Sequence, residues 1–126
     1  MSVSVSIIVP CYNVAAYLDQ CMESLTGQSM KDIEIICVND GSSDCTAEIL
    51  REWRNRDRRV RIIDQKNSGV SAARNSGMAA AAGTYIGFVD PDDMVERNMF
   101  QRLVTAAAEK EADVAVCGYH EFCDCG

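Results

Sequence analysis

Three acids fall within four residues at Asp90, Asp92 and Asp93, with Pro91 among them. Like charges at that spacing repel and disfavour their own ionised forms. A divalent cation removes the repulsion, and Mg²⁺ or Mn²⁺ takes one or two carboxylates together with substrate phosphates. Acids also decorate helix N-termini, where the macrodipole favours them, so Asp-x-Asp-Asp by itself leaves both readings open. Arg74 interrupts an apolar helix start, Ser71-Ala72-Ala73-Arg74-Asn75. A guanidinium beside a helix N-terminus suits phosphate oxygens, although a surface arginine with its stem along apolar neighbours has the same local sequence. Asp40 follows an apolar run and can accept a ring N–H, and Tyr12 offers a face on which a base can stack. Their plain alternatives are a helix-capping carboxylate and a half-buried tyrosine. Taken together, the set describes a nucleoside diphosphate held by base, phosphate and metal contacts.

Such a set works only if the chain brings it together, and the pattern of the whole sequence supplies a means. Val3 to Val9 reads as a buried strand ending at Pro10. Val14 to Leu25 places Val14, Tyr17, Leu18, Cys21, Met22 and Leu25 on one helical face. Ile33 to Asn39 is a second strand, followed by the turn Asp40-Gly41-Ser42-Ser43-Asp44, which suits a helix N-cap. That helix runs to about Arg56, with Ile49, Leu50 and Trp53 inward. Val60 to Asp64 is a third strand, broken by Asn67-Ser68-Gly69, and an Ala-rich helix follows from Val70 to Ala82, closed by Gly83. Tyr85 to Val89 is the fourth strand, Arg97 to Glu109 a helix, and Asp113 to Cys117 a fifth strand. Strands alternating with helices predict a parallel sheet covered on both faces. Ligands then bind beyond the carboxyl ends of the strands, and those ends are where Pro10, Tyr12, Asp40, Arg74 and the three acids fall.

Composition narrows the classes. The chain has 126 residues, 48% hydrophobic and 25% charged, with a net charge of −7, which suits one globular domain. No apolar run is long enough for a membrane span, and Met1 to Pro10 lacks the cationic start of a signal peptide. An acidic total argues against nucleic-acid binding. Seven cysteines cannot all pair within the chain, so they read as reduced thiols in a cytoplasm. Cys117, His120, Cys123 and Cys125 lack the paired spacing of a structural zinc site. His120 is the single histidine, which leaves no hydrolase triad. No G-x-G-x-x-G follows the first strand, which counts against a nicotinamide-type dinucleotide fold. A phosphoacceptor signalling domain would need a lysine after strand five, where Cys117-Gly118-Tyr119 stands. Six of nine arginines lie between Arg51 and Arg61; they read as a solvated helix end, with contact to anionic lipid at the inner face of a membrane as the sharper alternative.

Four segments carry a resemblance. They are Val5-Ser6-Ile7-Ile8-Val9-Pro10-Cys11-Tyr12-Asn13, Val38-Asn39-Asp40-Gly41-Ser42-Ser43-Asp44, Asn67 to Gly77, and Gly87-Phe88-Val89-Asp90-Pro91-Asp92-Asp93. In this order and at strand ends, the chain resembles the nucleotide-sugar-binding half of family-2 glycosyltransferases. The resemblance implies a GT-A fold, a three-layer α/β/α sandwich with a mostly parallel sheet. It spans residues 1–118, and 119–126 reads as a C-terminal tail at a truncation point. It implies a nucleoside-diphosphate sugar as donor, UDP-linked, with Mn²⁺ or Mg²⁺, and transfer with inversion to a saccharide or lipid-linked acceptor, as in polysaccharide or cell-envelope glycan synthesis. It places Asp40 at the uracil, with Tyr12 and the backbone near Pro10 shaping that pocket, and Arg74 near base and diphosphate. Asp92 falls near the ribose and diphosphate, Asp93 with Asp92 at the metal, and Asp90 on the first acid of the family pattern. Asn39 departs from the aspartate often found beside the matched Asp40. No catalytic base is assignable: Glu121 and Asp124 are the acids left after strand five, and neither sits in a recognisable motif. The alternative is a nucleotide-sugar-binding module that makes no glycosidic bond by itself.

Overall fold

The computed structural model describes residues 3–109. In chain order they form β1 (Val5–Cys11), α1 (Ala15–Thr26), β2 (Ile33–Asp40), α2 (Thr46–Arg56), β3 (Val60–Gln65), α3 (Val70–Ala80), β4 (Tyr85–Phe88) and α4 (Met99–Glu109). The sheet order is β3-β2-β1-β4 and every pair is parallel. The central strands β1 and β2 are buried along their whole length, which is why both read as continuous apolar runs rather than alternating ones.

Helices cover both faces. On one face Ile7 and Val9 of β1 and Ile35 and Cys37 of β2 pack with Leu18, Cys21, Met22 and Leu25 of α1, Leu50 and Trp53 of α2, and Phe100 of α4. On the other face Ile36 and Val38 meet Ala73 of α3. Gly77 lets α3 lie against β1, since a Cβ there would sit 2.5 Å from Ile8 Cγ2. The result is the three-layer α/β/α arrangement expected from the alternation.

Several boundaries differ from expectation, each for a local reason. Pro10 does not end β1; it pairs in register with Val38. Proline lacks an N–H and is normally kept from central strands. Here the Val89 amide donates to the Ile8 carbonyl on the β4 side. Strand alternation turns the Pro10 nitrogen to that same side, where the next rung would be a donation to the Val89 carbonyl. Proline has no N–H to give it, and the β1–β4 ladder stops at Ile8 and Phe88.

Tyr17, expected inward, is 54% exposed, because the inner stripe of α1 is filled by Leu18, Cys21, Met22 and Leu25. Helix α3 stops at Ala80, and its C-cap is Ala81. Gly83 serves a different purpose: a Cβ there would meet the Ser6 amide nitrogen at 2.6 Å. Helix α4 starts at Met99 rather than Arg97. The predicted fifth strand and the Cys117–Cys125 tail lie outside the described residues.

The arginine run is divided. Arg59 donates to Asp57 Oδ2 at 2.7 Å and to the Thr26 carbonyl at 2.9 Å. Arg61 donates to Glu34 Oε1 at 2.8 Å and to the Ala80 carbonyl at 2.9 Å. Arg51 pairs with Glu48, and Arg56 lies over the Trp53 ring at 5.0 Å. This basic segment runs from the second turn of α2 to the second residue of β3, and the connection between them lies at the opposite end of the sheet from the strand termini that carry the polar set.

Candidate nucleotide-sugar site

The carboxyl ends of β1 and β2 are tied to each other before they present any side chain. Asn13 adopts a left-handed φ of 51°, a conformation that asparagine tolerates. Its Oδ1 accepts the Ser43 amide at 2.8 Å, and its own amide donates to Ser42 Oγ at 3.0 Å. Asp44 works on two helices: Oδ2 accepts the Ala15 amide at the start of α1, and Oδ1 accepts the Thr46 amide and hydroxyl at the start of α2. The Thr46 hydroxyl and these amides outweigh the cost of burial and hold the Asp44 carboxyl below its ordinary range. The loop expected to cap α2 therefore also caps α1.

Asn39 is explained by its neighbour across the ladder. Its Nδ2 donates to Asp64 Oδ1 at 3.0 Å, and its Oδ1 accepts the Ser42 amide at 3.2 Å. An aspartate at 39 would set two carboxylates against each other. The departure from the family pattern is thus matched by Asp64.

Asp40 is 3% exposed and is gripped by the last residue of β3 and the segment that follows it. Oδ1 accepts Gln65 Nε2 at 2.9 Å and the Ser68 amide at 2.8 Å. Oδ2 accepts the Gly69 amide at 2.9 Å and Asn67 Nδ2 at 3.4 Å. The Gln65 amide leads in holding this carboxyl below its ordinary range; burial opposes, and the Ser68 and Gly69 amides add to the lowering. Gly69 makes this possible with a φ of 98°, in the region open to glycine.

A cavity of about 310 Å³ opens beside it, lined by Pro10, Cys11, Tyr12, Asp40, Asn67, Gly69, Val70 and Ala73. Three sequence-predicted residues, Pro10, Tyr12 and Asp40, meet there. Tyr12 is 51% exposed, and its ring is available for a planar ligand. The cavity wall from Asn67 to Ala73 was not among the expected site residues. The signal for it was Asn-Ser-Gly directly before a helix, which reads locally as a strand breaker.

Arg74 and the three acids form a second group. Arg74 Nη2 stands 3.5 Å from Asp90 Oδ1. Carboxylate oxygens of Asp90, Asp92 and Asp93 lie within 4.8 Å of one another, all on exposed residues. The turn is closed by the Asp93 amide donating to the Asp90 carbonyl at 3.0 Å. Three water-accessible carboxylates at this spacing fit a hard divalent cation that keeps part of its hydration. Beneath the loop, Cys21 Sγ approaches the Asp90 carbonyl at 3.7 Å. Burial, then Cys11 and the three acids, push the Cys21 thiol up to about 12. A hydrogen bond with Cys11, reinforced by burial, likewise raises Cys37. These thiols stay protonated and act as small apolar core groups.

Residues 6–126 match the family described as Glycosyl transferase family 2. The chain is 51% identical over 117 residues to an uncharacterized glycosyltransferase, EpsJ, of Bacillus subtilis, covering 93% of this chain and 34% of that protein. It superposes on S. aureus TarS 1-349 in complex with UDP-GlcNAc with a TM-score of 0.80 at 28% identity, covering 86% of this chain and 32% of the other. The mannosyltransferase PcManGT from Pyrobaculum calidifontis, in complex with GDP-Man and Mn²⁺, shares the fold with a TM-score of 0.78 at 22% identity, over 86% of this chain and 33% of the other. The chain therefore spans about a third of the length of these relatives.

Proposed function

Since this chain belongs to glycosyl transferase family 2, we propose that it binds a UDP-linked sugar and serves transfer of that sugar to a saccharide or lipid-linked acceptor. The observation that carries the reading is one end of one sheet holding two complementary groups. The Pro10–Tyr12–Asp40 cavity suits a planar base, and the Arg74–Asp90 pair with Asp92 and Asp93 suits a diphosphate and its cation. In this reading Tyr12 stacks on the uracil, the Pro10 backbone borders it, and Asp40 takes its ring N–H. Arg74 faces the diphosphate, and Asp92 stands near the ribose and diphosphate.

Asp92 and Asp93 would hold Mn²⁺ or Mg²⁺, with Asp90 beside them. When bound, such an ion neutralises diphosphate charge and makes the nucleotide a better leaving group. Arg74 adds a fixed positive charge on the same oxygens. Transfer is by inversion in this proposal, which requires an acceptor hydroxyl aligned behind the anomeric carbon and a base for its proton. The complex of TarS 1-349 with UDP-GlcNAc favours a uridine donor, and that of PcManGT with GDP-Man and Mn²⁺ favours the metal.

A second reading, a donor-binding module without transferase activity of its own, has its own support. Among the described acids at this end of the sheet, Asp40, Asp90, Asp92 and Asp93 are assigned to the donor in this reading, Asp64 is bonded to Asn39, and Asp44 holds the starts of α1 and α2. We also propose a cytoplasmic setting, in keeping with free thiols at Cys11, Cys21, Cys37 and Cys45. No helix among the described residues is long and apolar enough to cross a membrane. Peripheral contact with anionic lipid would fall to Arg54, Arg56 and Arg58, since Arg51, Arg59 and Arg61 are paired with Glu48, Asp57 and Glu34.

Calorimetry with UDP-, GDP- and TDP-sugars, with and without Mn²⁺, tests the reading. Selective, Mn²⁺-enhanced binding of a UDP-sugar is the expected result. Absence of binding to every nucleotide sugar would end it.

A further inference from the structure

We propose that Gln65 is a positioning residue for Asp40, locking its carboxylate at the cavity wall and tying it to α3, the helix that carries Arg74. The inference rests on the donor-site reading above and adds a residue to it.

Gln65 is the last residue of β3 and the register partner of Asp40 across the ladder. Its side chain bridges two elements. Nε2 donates to Asp40 Oδ1 at 2.9 Å, and Oε1 accepts the Ser76 hydroxyl at 2.5 Å. A carboxylate accepts and never donates, so this orientation of the amide is the one that satisfies Asp40. Ser76 lies on α3, two residues after Arg74.

A carboxylate offers about four lone-pair directions, and all four on Asp40 are taken. Two go to the Ser68 and Gly69 amides, which belong to the loop itself. Of the two side-chain donors, Asn67 is long at 3.4 Å, and Gln65 is short. Gln65 is therefore the side chain that sets the plane of the carboxylate from the sheet side. A ring N–H competes most cheaply with the long Asn67 contact, because Asn67 Nδ2 keeps the Asp40 carbonyl at 3.1 Å. The Gln65 bond would persist with the base in place and hold Oδ1 while Oδ2 is offered.

The donors on Asp40 are all neutral. The titratable groups nearby are Cys11 and Tyr12 on the cavity wall, exposed Lys66, and Asp64, whose carboxylate is bonded to Asn39. None of them bonds the Gln65 amide.

Two variants separate positioning from folding. Gln65→Leu removes the donor at every pH, and uridine affinity should fall about tenfold, the usual scale of a lost bond to a charged group. Gln65→Glu places a carboxyl against Asp40, and the pair shares a proton at low pH, since like charges raise one member of such a pair. The protonated acid donates to Oδ1 as the amide did; once ionised it repels. Uridine affinity of Gln65→Glu should therefore approach wild type near pH 5 and fall at least tenfold by about pH 8. Wild type and Gln65→Leu should stay flat over that range. A Gln65→Glu profile parallel to wild type, or to Gln65→Leu, would overturn the proposal while leaving the donor site intact. Failure of the wild-type chain to bind uridine or UDP at any pH would instead overturn the site reading, and this inference with it.

Discussion

Arg74 Nη2 lies 3.5 Å from Asp90 Oδ1, so the one guanidinium of α3, in its second turn, is joined to the acidic loop that follows β4. Both side chains are substantially exposed, and in water such a pair contributes little to stability. Its worth is positional: it sets a cation at the border between the base cavity and the carboxylate cluster. Arg74→Ala should weaken UDP binding more than uridine binding, by about tenfold or more, because charge-assisted bonds to phosphate are among the stronger contacts. Calorimetry with both ligands checks this, and equal losses would move Arg74 to the base or to a structural role.

The acids predict a metal effect. Asp93→Ala should abolish the gain in UDP affinity given by Mn²⁺, because the ion bridges carboxylate and diphosphate. Uridine, which has no diphosphate, should bind equally with Mn²⁺ and with EDTA. Equal affinity of the wild-type chain for UDP in both conditions would remove the cation from the site.

Asp40 predicts both a ligand and a pH phenotype. Its carboxyl is held below its ordinary range in the folded chain, so near pH 4 the unfolded chain binds the proton more readily. The stabilisation is then present above the unfolded value, about 3.9, and is lost as pH falls through the folded one. Asp44, Asp57 and Glu34 are shifted in the same direction, so the melting temperature should drop steeply in acid. Asp40→Asn should weaken uridine binding, lower stability at neutral pH by about 1–3 kcal/mol, and flatten part of the acid limb. A melting curve against pH with an unchanged acid limb would contradict the burial and bonding of Asp40.

Transfer itself should be slow or absent. A positioned general base contributes about 10²–10⁴-fold, and orientation of the acceptor contributes more. Among the described residues, Asp40 is saturated by Gln65 and the loop after it, Asp44 and Asp64 are bonded to helix starts and to Asn39, and Asp90, Asp92 and Asp93 share one cluster. Incubation of the 126-residue chain with UDP-sugar and a saccharide acceptor should release at most a trickle of UDP by hydrolysis. Robust formation of a glycosidic product would refute this and identify a base beyond the donor site.

Much of the architecture is legible in the residues themselves. Ile7-Ile8-Val9 and Ile35-Ile36-Cys37-Val38 announce strands covered on both faces, and Leu18, Cys21, Met22 and Leu25 announce a helix stripe, because burial imposes its period on the local sequence. The strand-end segments pointed to Pro10, Tyr12, Asp40, Arg74 and the acids for the same reason, since loops beyond a parallel sheet are free to carry polar groups. The tertiary structure decided the rest. Only the order β3-β2-β1-β4 sets β4 beside β1 and brings Asp90 to Arg74 across sixteen residues. Only the pairing of Asp40 with Gln65 turns a strand's last residue into the holder of a carboxylate. Pro10 stays inside β1 because it falls at the rung where the ladder with β4 ends, and Arg59 and Arg61 leave the basic run because Asp57 and Glu34 face them. Each of these outcomes depends on partners distant in sequence or on where a neighbouring strand ends. A period read along one segment carries no record of either.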